Sequence, residues 1–132
     1  MKVVGLDHLV LTVASIPATV AFYERVLGMR AFTFGDGRTA LAFGPHKINL
    51  HQADKTFDPK ALRPTCGSGD LCFLVDTLDV LEDHLAACNV SVLVARSPRS
   101  GARGAISSVY VRDPDQNLVE LSVYPDGTQA AS

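Results

Sequence analysis

Disulfide chemistry, strong net charge and membrane-length apolar runs are all missing from this sequence, and each absence removes a class of function. Three cysteines, Cys66, Cys72 and Cys88, are an odd number without a CxxC pair, which excludes a disulfide framework or a structural zinc knuckle. Reduced thiols and a cytoplasmic location are the expectation. The 12 basic and 14 acidic residues leave a formal charge of −2, with no basic field to attract polyphosphate, so nucleic acid is not an expected partner. The N-terminal MKVVGLDHLVLTV is too short an apolar run to cross a membrane, and no small-residue cleavage site follows a basic leader. Neither a Gly-rich phosphate cradle nor a Ser-His-Asp order is present.

What is present is enough for one folded domain: 132 residues, 47% hydrophobic and 20% charged, a balance that buries a core without metals or cross-links to hold it. Val3 to Val13 runs or alternates apolar and reads as a buried strand with one odd member, His8. Ser15 offers a helix N-cap, Pro17 fits the first turn, Val20, Tyr23, Val26 and Leu27 recur at helical spacing, and Gly28 stops the helix. Strands are expected at Arg30 to Phe34, Arg38 to Phe43 and Lys47 to Gln52, divided by GDG and GPH turns. Residues Ala53 to Gly69, with prolines and scattered charge, read as a surface connector.

The same order then returns. Leu71 to Val75 reads as a strand, Leu78 to Cys88 as a helix, Val90 to Val94 as a strand and Arg96 to Gly104 as a loop, with GARG at 101–104 a connector that could cap a site. YVRDPDQNLVEL, Tyr110 to Leu121, reads as a hairpin turning at Asp113 to Asn117, with Leu118, Glu120 and Ser122 on one face and Val119, Leu121 and Val123 on the other. HLVLTV from position 8 lies over DLCFLV from position 70, 62 residues later, so the chain reads as two βαβββ modules, about 4–52 and 69–124, followed by a fraying tail at 125–132.

If each module is a curved sheet with its helix outside, the polar residues on the inner face converge: His8 and Asp70 on the first strands, Glu120 on the last strand of the second half, and Asn49 or His51 on the last strand of the first. Imidazole nitrogen and carboxylate oxygen are donors for a divalent ion at about 2.0 to 2.2 Å. Overlaying INLH, 48–51, on VELS, 119–122, sets Asn49 over Glu120 and His51 over Ser122. Donor chemistry favours His51 as a ligand, and symmetry favours Asn49, with His51 then an acid/base group facing substrate. Tyr110, Arg112 and Arg99 are candidate anion contacts, set against their ordinary reading as a core-edge Tyr and exposed Arg. His46 and His84 read as surface residues.

GLDHLVLTV, FYERVLGM and RDPDQNLVEL together resemble the vicinal oxygen chelate superfamily over residues 4–124. That superfamily includes glyoxalase I, fosfomycin-modifying thioltransferases, methylmalonyl-CoA epimerase, extradiol dioxygenases and bleomycin-binding proteins. KINLHQ and GSGDLCF are most similar to the group called glyoxalase-domain-containing protein five. The resemblance implies an α+β fold of two βαβββ modules forming a curved, partly open cup. It also implies a divalent metal (Zn, Ni, Mn or Fe), usually a homodimer, and a small-molecule substrate that chelates the ion through adjacent oxygens.

By position, His8 matches the first-strand histidine ligand and Glu120 the final-strand glutamate, which also serves in catalysis. His51 is carried as a third ligand or base, Asp70 as a weaker ligand standing where glyoxalase I has histidine, and Asn49 where glyoxalase I has its first glutamate. The leading expectation is a glyoxalase-like lyase, isomerase or transferase. A metal-free binding protein of the bleomycin-resistance type is the alternative, and a ring-cleaving dioxygenase with His8, His51 and Glu120 on iron is the third reading.

Overall fold

The computed structural model describes residues 1–128. The chain divides into two compact units, 1–66 and 67–132, each built on a four-stranded mixed sheet. The fold is α+β, and both sheets are open rather than closed into barrels. From residue 129 onward, the fraying expected of the tail concerns residues outside those described.

In the first unit, β1 (His8–Val13), β2 (Arg30–Phe34), β3 (Arg38–Phe43) and β4 (His46–Gln52) lie in the order β1-β4-β3-β2. β1 runs parallel to β4 and the other pairs are antiparallel. A parallel pair needs a long crossover, and helix α1 (Ile16–Leu27) supplies part of it. Its ends are as the sequence implies. Ser15 Oγ accepts from the Ala18 amide, Pro17 sits in the first turn, and Gly28 closes the helix in the left-handed region (φ 66°), its N–H bonded to the Glu24 carbonyl.

The buried stripe of α1 is Thr19, Phe22, Tyr23 and Val26, turned slightly from the expected one, with Val20 and Leu27 left half-buried. Leu11, Val13, Leu41, Ile48 and Leu50 are likewise buried and share one face of the sheet. These alternate with Val10, Thr12, Ala40, Asn49 and His51, which share the opposite face because neighbouring strand residues point to opposite sides.

The first strand is shorter than expected. Pairing begins at His8 opposite Lys47, and β4 does not extend far enough back to bond residues 3–7. Val3, Val4 and Leu6 are exposed instead of buried, because a strand without a neighbour has no ladder to hold it.

In the second unit, β5 (Asp70–Leu74), α2 (Leu81–Ala87), β6 (Val94–Gly101), β7 (Gly104–Arg112) and β8 (Leu118–Val123) repeat the plan as β5-β8-β7-β6. α2 starts three residues later than the spacing suggests. Thr77 Oγ1 accepts the Asp79 amide and Asp76 the Thr77 amide, a side-chain turn that competes with helix over 76–79. Leu78 and Cys88, just outside α2, are buried all the same.

The expectation of a strand at Val90 to Val94 and a loop at Arg96 to Gly104 is corrected. The strand runs Val94–Gly101 and forms a hairpin with β7, Gly101 opposite Gly104. Pro98 is tolerated there because β6 is an edge strand. The GARG stretch is the hairpin turn. A Cβ on Gly101 would sit 2.7 Å from Tyr124 Oη, and that hydroxyl accepts the Arg103 amide at 2.9 Å.

The β7–β8 turn is held by a buried hub. Asp113 accepts from the Asp115 amide (2.9 Å), the Asn117 amide (3.0 Å) and Asn117 Nδ2 (2.8 Å). Asn117 Oδ1 in turn accepts the Gly69 amide at 2.7 Å, tying the approach to β5 to the start of β8. No helix among the described residues is long and apolar enough to cross a membrane, and the three cysteines are free of disulfides.

Candidate functional site

The first unit carries its polar residues on the sheet face away from α1. His8, at the start of β1, is partly exposed, and its Nδ1 lies 2.6 Å from Asp7 Oδ1. That contact, more than charge alone, holds the Asp7 carboxyl below its ordinary pKa. It also fixes the ring so that Nε2 points away from Asp7. Asn49 is buried, and its Oδ1 has no hydrogen-bond partner.

His51 is 3% exposed and Nδ1 likewise has no partner. Its Nε2 lies a long 3.5 Å from an Arg38 Nη2. The Phe57 ring stands edge-on to the imidazole, centroids 5.6 Å apart, and the Arg38 guanidinium lies 4.7 Å over Phe57. Burial, then the charges of Arg38 and Lys60, push the His51 pKa below its ordinary value, so the ring is neutral at neutral pH.

The register ranks these groups by distance along the strands. His8 pairs with Lys47, Val10 with Asn49 and Thr12 with His51. At about 3.3 Å per residue, His8 is roughly 6.6 Å from the Asn49 row and roughly 13 Å from the His51 row. Lys47 is therefore the β4 residue opposite His8 and Asn49 the next on that face, while His51 keeps company with Arg38 and Phe57.

The second unit places Asp70 opposite Leu118 and Cys72 opposite Glu120, so Asp70 stands to Glu120 as His8 stands to Asn49. Asp70 is exposed and Glu120 half-buried. Glu120 Oε2 accepts the Ser108 hydroxyl at 2.6 Å, with Ser122 Oγ at 3.4 Å, and Ser108 and Ser122 lie 2.7 Å apart. The Cys72 thiol reaches Ser122 Oγ at 3.2 Å. Desolvation, with the Glu120 carboxylate adding to it, raises the Cys72 pKa and keeps it a thiol at neutral pH.

Tyr110 is the β7 partner of Glu120. Desolvation and Glu120 raise its phenol pKa while Arg99, stacked 5.3 Å over the ring, lowers it. Arg112 is exposed and donates to the Gln116 carbonyl at 3.2 Å, bracing the turn. Asp7, Arg38, Phe57 and Ser108 are the neighbours that motif reading passed over. Arg38 alone had a signal, since strand alternation puts it on the face of Ala40, opposite Asn49. Within either unit, among the described residues, no three His, Cys, Asp or Glu side chains gather as a metal site.

Comparison with known proteins agrees with this arrangement of elements. The chain is 53% identical over 121 residues to the virulence protein STM3117 of Salmonella typhimurium, covering 90% of this chain and 83% of that one. It is 50% identical over 127 residues to the glyoxalase domain-containing protein RDO1 of Mycosarcoma maydis, covering 96% and 72%. The crystal structure of STM3117 superposes with a TM-score of 0.92, covering 94% of this chain and 99% of that chain at 49% identity. A family model matches residues 5–121, and the chain belongs to the Glyoxalase/Bleomycin resistance protein/Dioxygenase superfamily.

Proposed function

We propose that this protein is a metal-dependent enzyme of the glyoxalase-like type, a lyase, isomerase or transferase acting on a small metabolite with adjacent oxygens, and that it works as a homodimer. His8 and Glu120 are its principal ligands for a divalent ion, Zn, Ni, Mn or Fe, with Asp70 as a further carboxylate donor. The observation that carries this reading is that each principal donor already has an orienting partner inside its own unit. Asp7 holds His8 Nδ1, leaving Nε2 for an ion, and Ser108 holds one oxygen of Glu120, leaving the other. Metal-bound histidines commonly donate their second nitrogen to a carboxylate, and ligating carboxylates are themselves hydrogen-bonded. The donor set therefore fits a cation, which when bound supplies Lewis-acid polarisation of a substrate oxygen.

The chain's own groups divide the remaining work. Glu120 is anchored through Oε2, and its second oxygen serves one role at a time, donor to the ion or, when not so engaged, acceptor of a proton from carbon beside a carbonyl, the general-base role. Tyr110, kept protonated, and Arg99 stacked on it present a donor and a cation beside that carboxylate. Arg112 stands at the end of the same face. His51 acts on substrate rather than on the metal, because its strand position lies with Arg38 and away from His8.

The test is metal analysis of the protein after metal-replete growth, alongside His8→Ala and Glu120→Ala with circular dichroism as the fold check. About one ion per chain in the parent and a loss of most of it in each folded variant is expected. Stoichiometric ion in both variants would overturn the ligand assignment, and none in the parent would favour the metal-free binding reading.

A further inference from the structure

The face of the first unit's sheet turned away from α1 carries a cationic cluster that the reading above does not use. Arg38, Lys47 and Lys60 surround it, and none of the ion pairs among the described residues involves them. Arg38 lies over Phe57 and Phe34, Lys47 Nζ sits 4.0 Å over Phe34, and Lys60 donates to Thr56 Oγ1. Aromatic faces attract cations only modestly, and they leave Arg38 and Lys60 without a paired carboxylate, whereas the charge of Lys47 acts on Asp7.

The buried imidazole adds a direction. A guanidinium has only donors, so the nitrogen of His51 that faces it, Nε2, is the acceptor and the ring proton is on Nδ1. That N–H has no hydrogen-bond acceptor, a cost that a ligand oxygen would remove. The aromatic ring against it is Phe57, on the connector after β4, which supplies no oxygen or nitrogen acceptor. A buried donor beside two cations, Arg38 and Lys60, with neither in an ion pair among the described residues, is the arrangement that receives an oxyanion.

We propose that Arg38, Lys60 and His51 Nδ1–H form an oxyanion subsite, and that the substrate carries a carboxylate or phosphonate group held there while its adjacent oxygens meet the metal. The second half of that statement rests on the function proposed above; the first half does not need it. Arg38 supplies a planar fork suited to two oxygens, Lys60 a point charge at the entrance, and His51 a single directed donor. A neutral oxygen could accept from His51 but gains little from the charges of Arg38 and Lys60, so the subsite selects on charge.

The experiment follows the His51 ring nitrogens by two-dimensional NMR in protein stripped of metal with a chelator. Acetate and methylphosphonate are titrated in turn, with acetamide as the neutral control. A saturable shift of Nδ1 with one or both anions and none with acetamide is expected. Affinity should fall at least tenfold in Arg38→Gln, recover in part in Arg38→Lys, and fall severalfold in Lys60→Gln, an exposed position where folding is not at risk. No saturable shift, an equal shift with acetamide, or unchanged affinity in both Arg38→Gln and Lys60→Gln would overturn the subsite. Because the titration is free of metal, it stands or falls separately from the ligand assignment. Adding Mn²⁺ to the same samples then reports on that assignment alone.

Discussion

Replacing Asn117 with Ala should destabilise the protein by an amount that the structure allows to be worked out. The side chain accepts the Gly69 amide at 2.7 Å and donates to Asp113 Oδ2 at 2.8 Å, and Asn117 is 1% exposed. Truncation therefore removes two buried hydrogen bonds, one of them to a carboxylate, without bringing in water to replace them. A buried neutral bond is worth about 1 kcal/mol and one to a charged group about 2, giving a loss of about 3 kcal/mol. A chain of this size loses about 3–4 °C per kcal/mol, so the melting temperature should drop by roughly 10 °C.

The same bonds set the β5–β8 register, with Leu118 N–H to the Gly69 carbonyl beside them, and that register is what places Asp70 and Glu120 on one face. Urea unfolding followed by circular dichroism measures the loss. A parallel variant, Asn117→Asp, sets a carboxylate against Asp113 and should be less stable at pH 8 than at pH 5 relative to the parent. A loss below about 1 kcal/mol in Asn117→Ala, or no pH difference in Asn117→Asp, would refute the hub as the element that holds the second unit's register.

Further outcomes follow from other parts of the molecule. Gly101→Ala should cost about 2 kcal/mol in thermal or urea unfolding, since its Cβ would meet Tyr124 Oη at 2.7 Å and Ile106 Cγ2 at 2.9 Å. His51 has a folded pKa below its unfolded value, so the unfolded chain takes up the proton first, and stability falls as pH drops from about 6.5 through the depressed folded pKa. His51→Gln should flatten that part of the stability–pH profile measured by urea unfolding, and an unchanged slope would count against a buried neutral ring. Ser108→Ala removes the 2.6 Å donor to Glu120 and should weaken divalent-ion binding about tenfold by calorimetry, with little change in fold.

Much of the fold was legible because its signals are local. Ser15, Pro17 and Gly28 bracket the first helix, and the residues between Asp113 and Asn117 carry their own turn chemistry, so both were placed from sequence. Where the sequence misled, the deciding partner was distant. Val3 to Leu6 have strand composition, but only the reach of β4 decides whether they pair. Arg96 to Gly101 have loop composition, but an edge position beside β7 makes Pro98 harmless.

The site divides in the same way. His8, Asp70 and Glu120 stand out in the sequence as odd polar members of apolar strands, whereas only the inter-strand register shows that Asn49 lies nearer the His8 row than His51 does. Neither Arg38 beside His51 nor Ser108 beside Glu120 can be read from one strand at a time, because both contacts run across a sheet.

The sharpest test of the account is pulsed electron paramagnetic resonance of Mn²⁺ added to metal-stripped protein, reading the coupling of the ion to imidazole nitrogen. One histidine nitrogen coupling is expected, lost in His8→Ala and retained in His51→Gln. Coupling that survives in His8→Ala and vanishes in His51→Gln would contradict the placing of the ion at the start of β1.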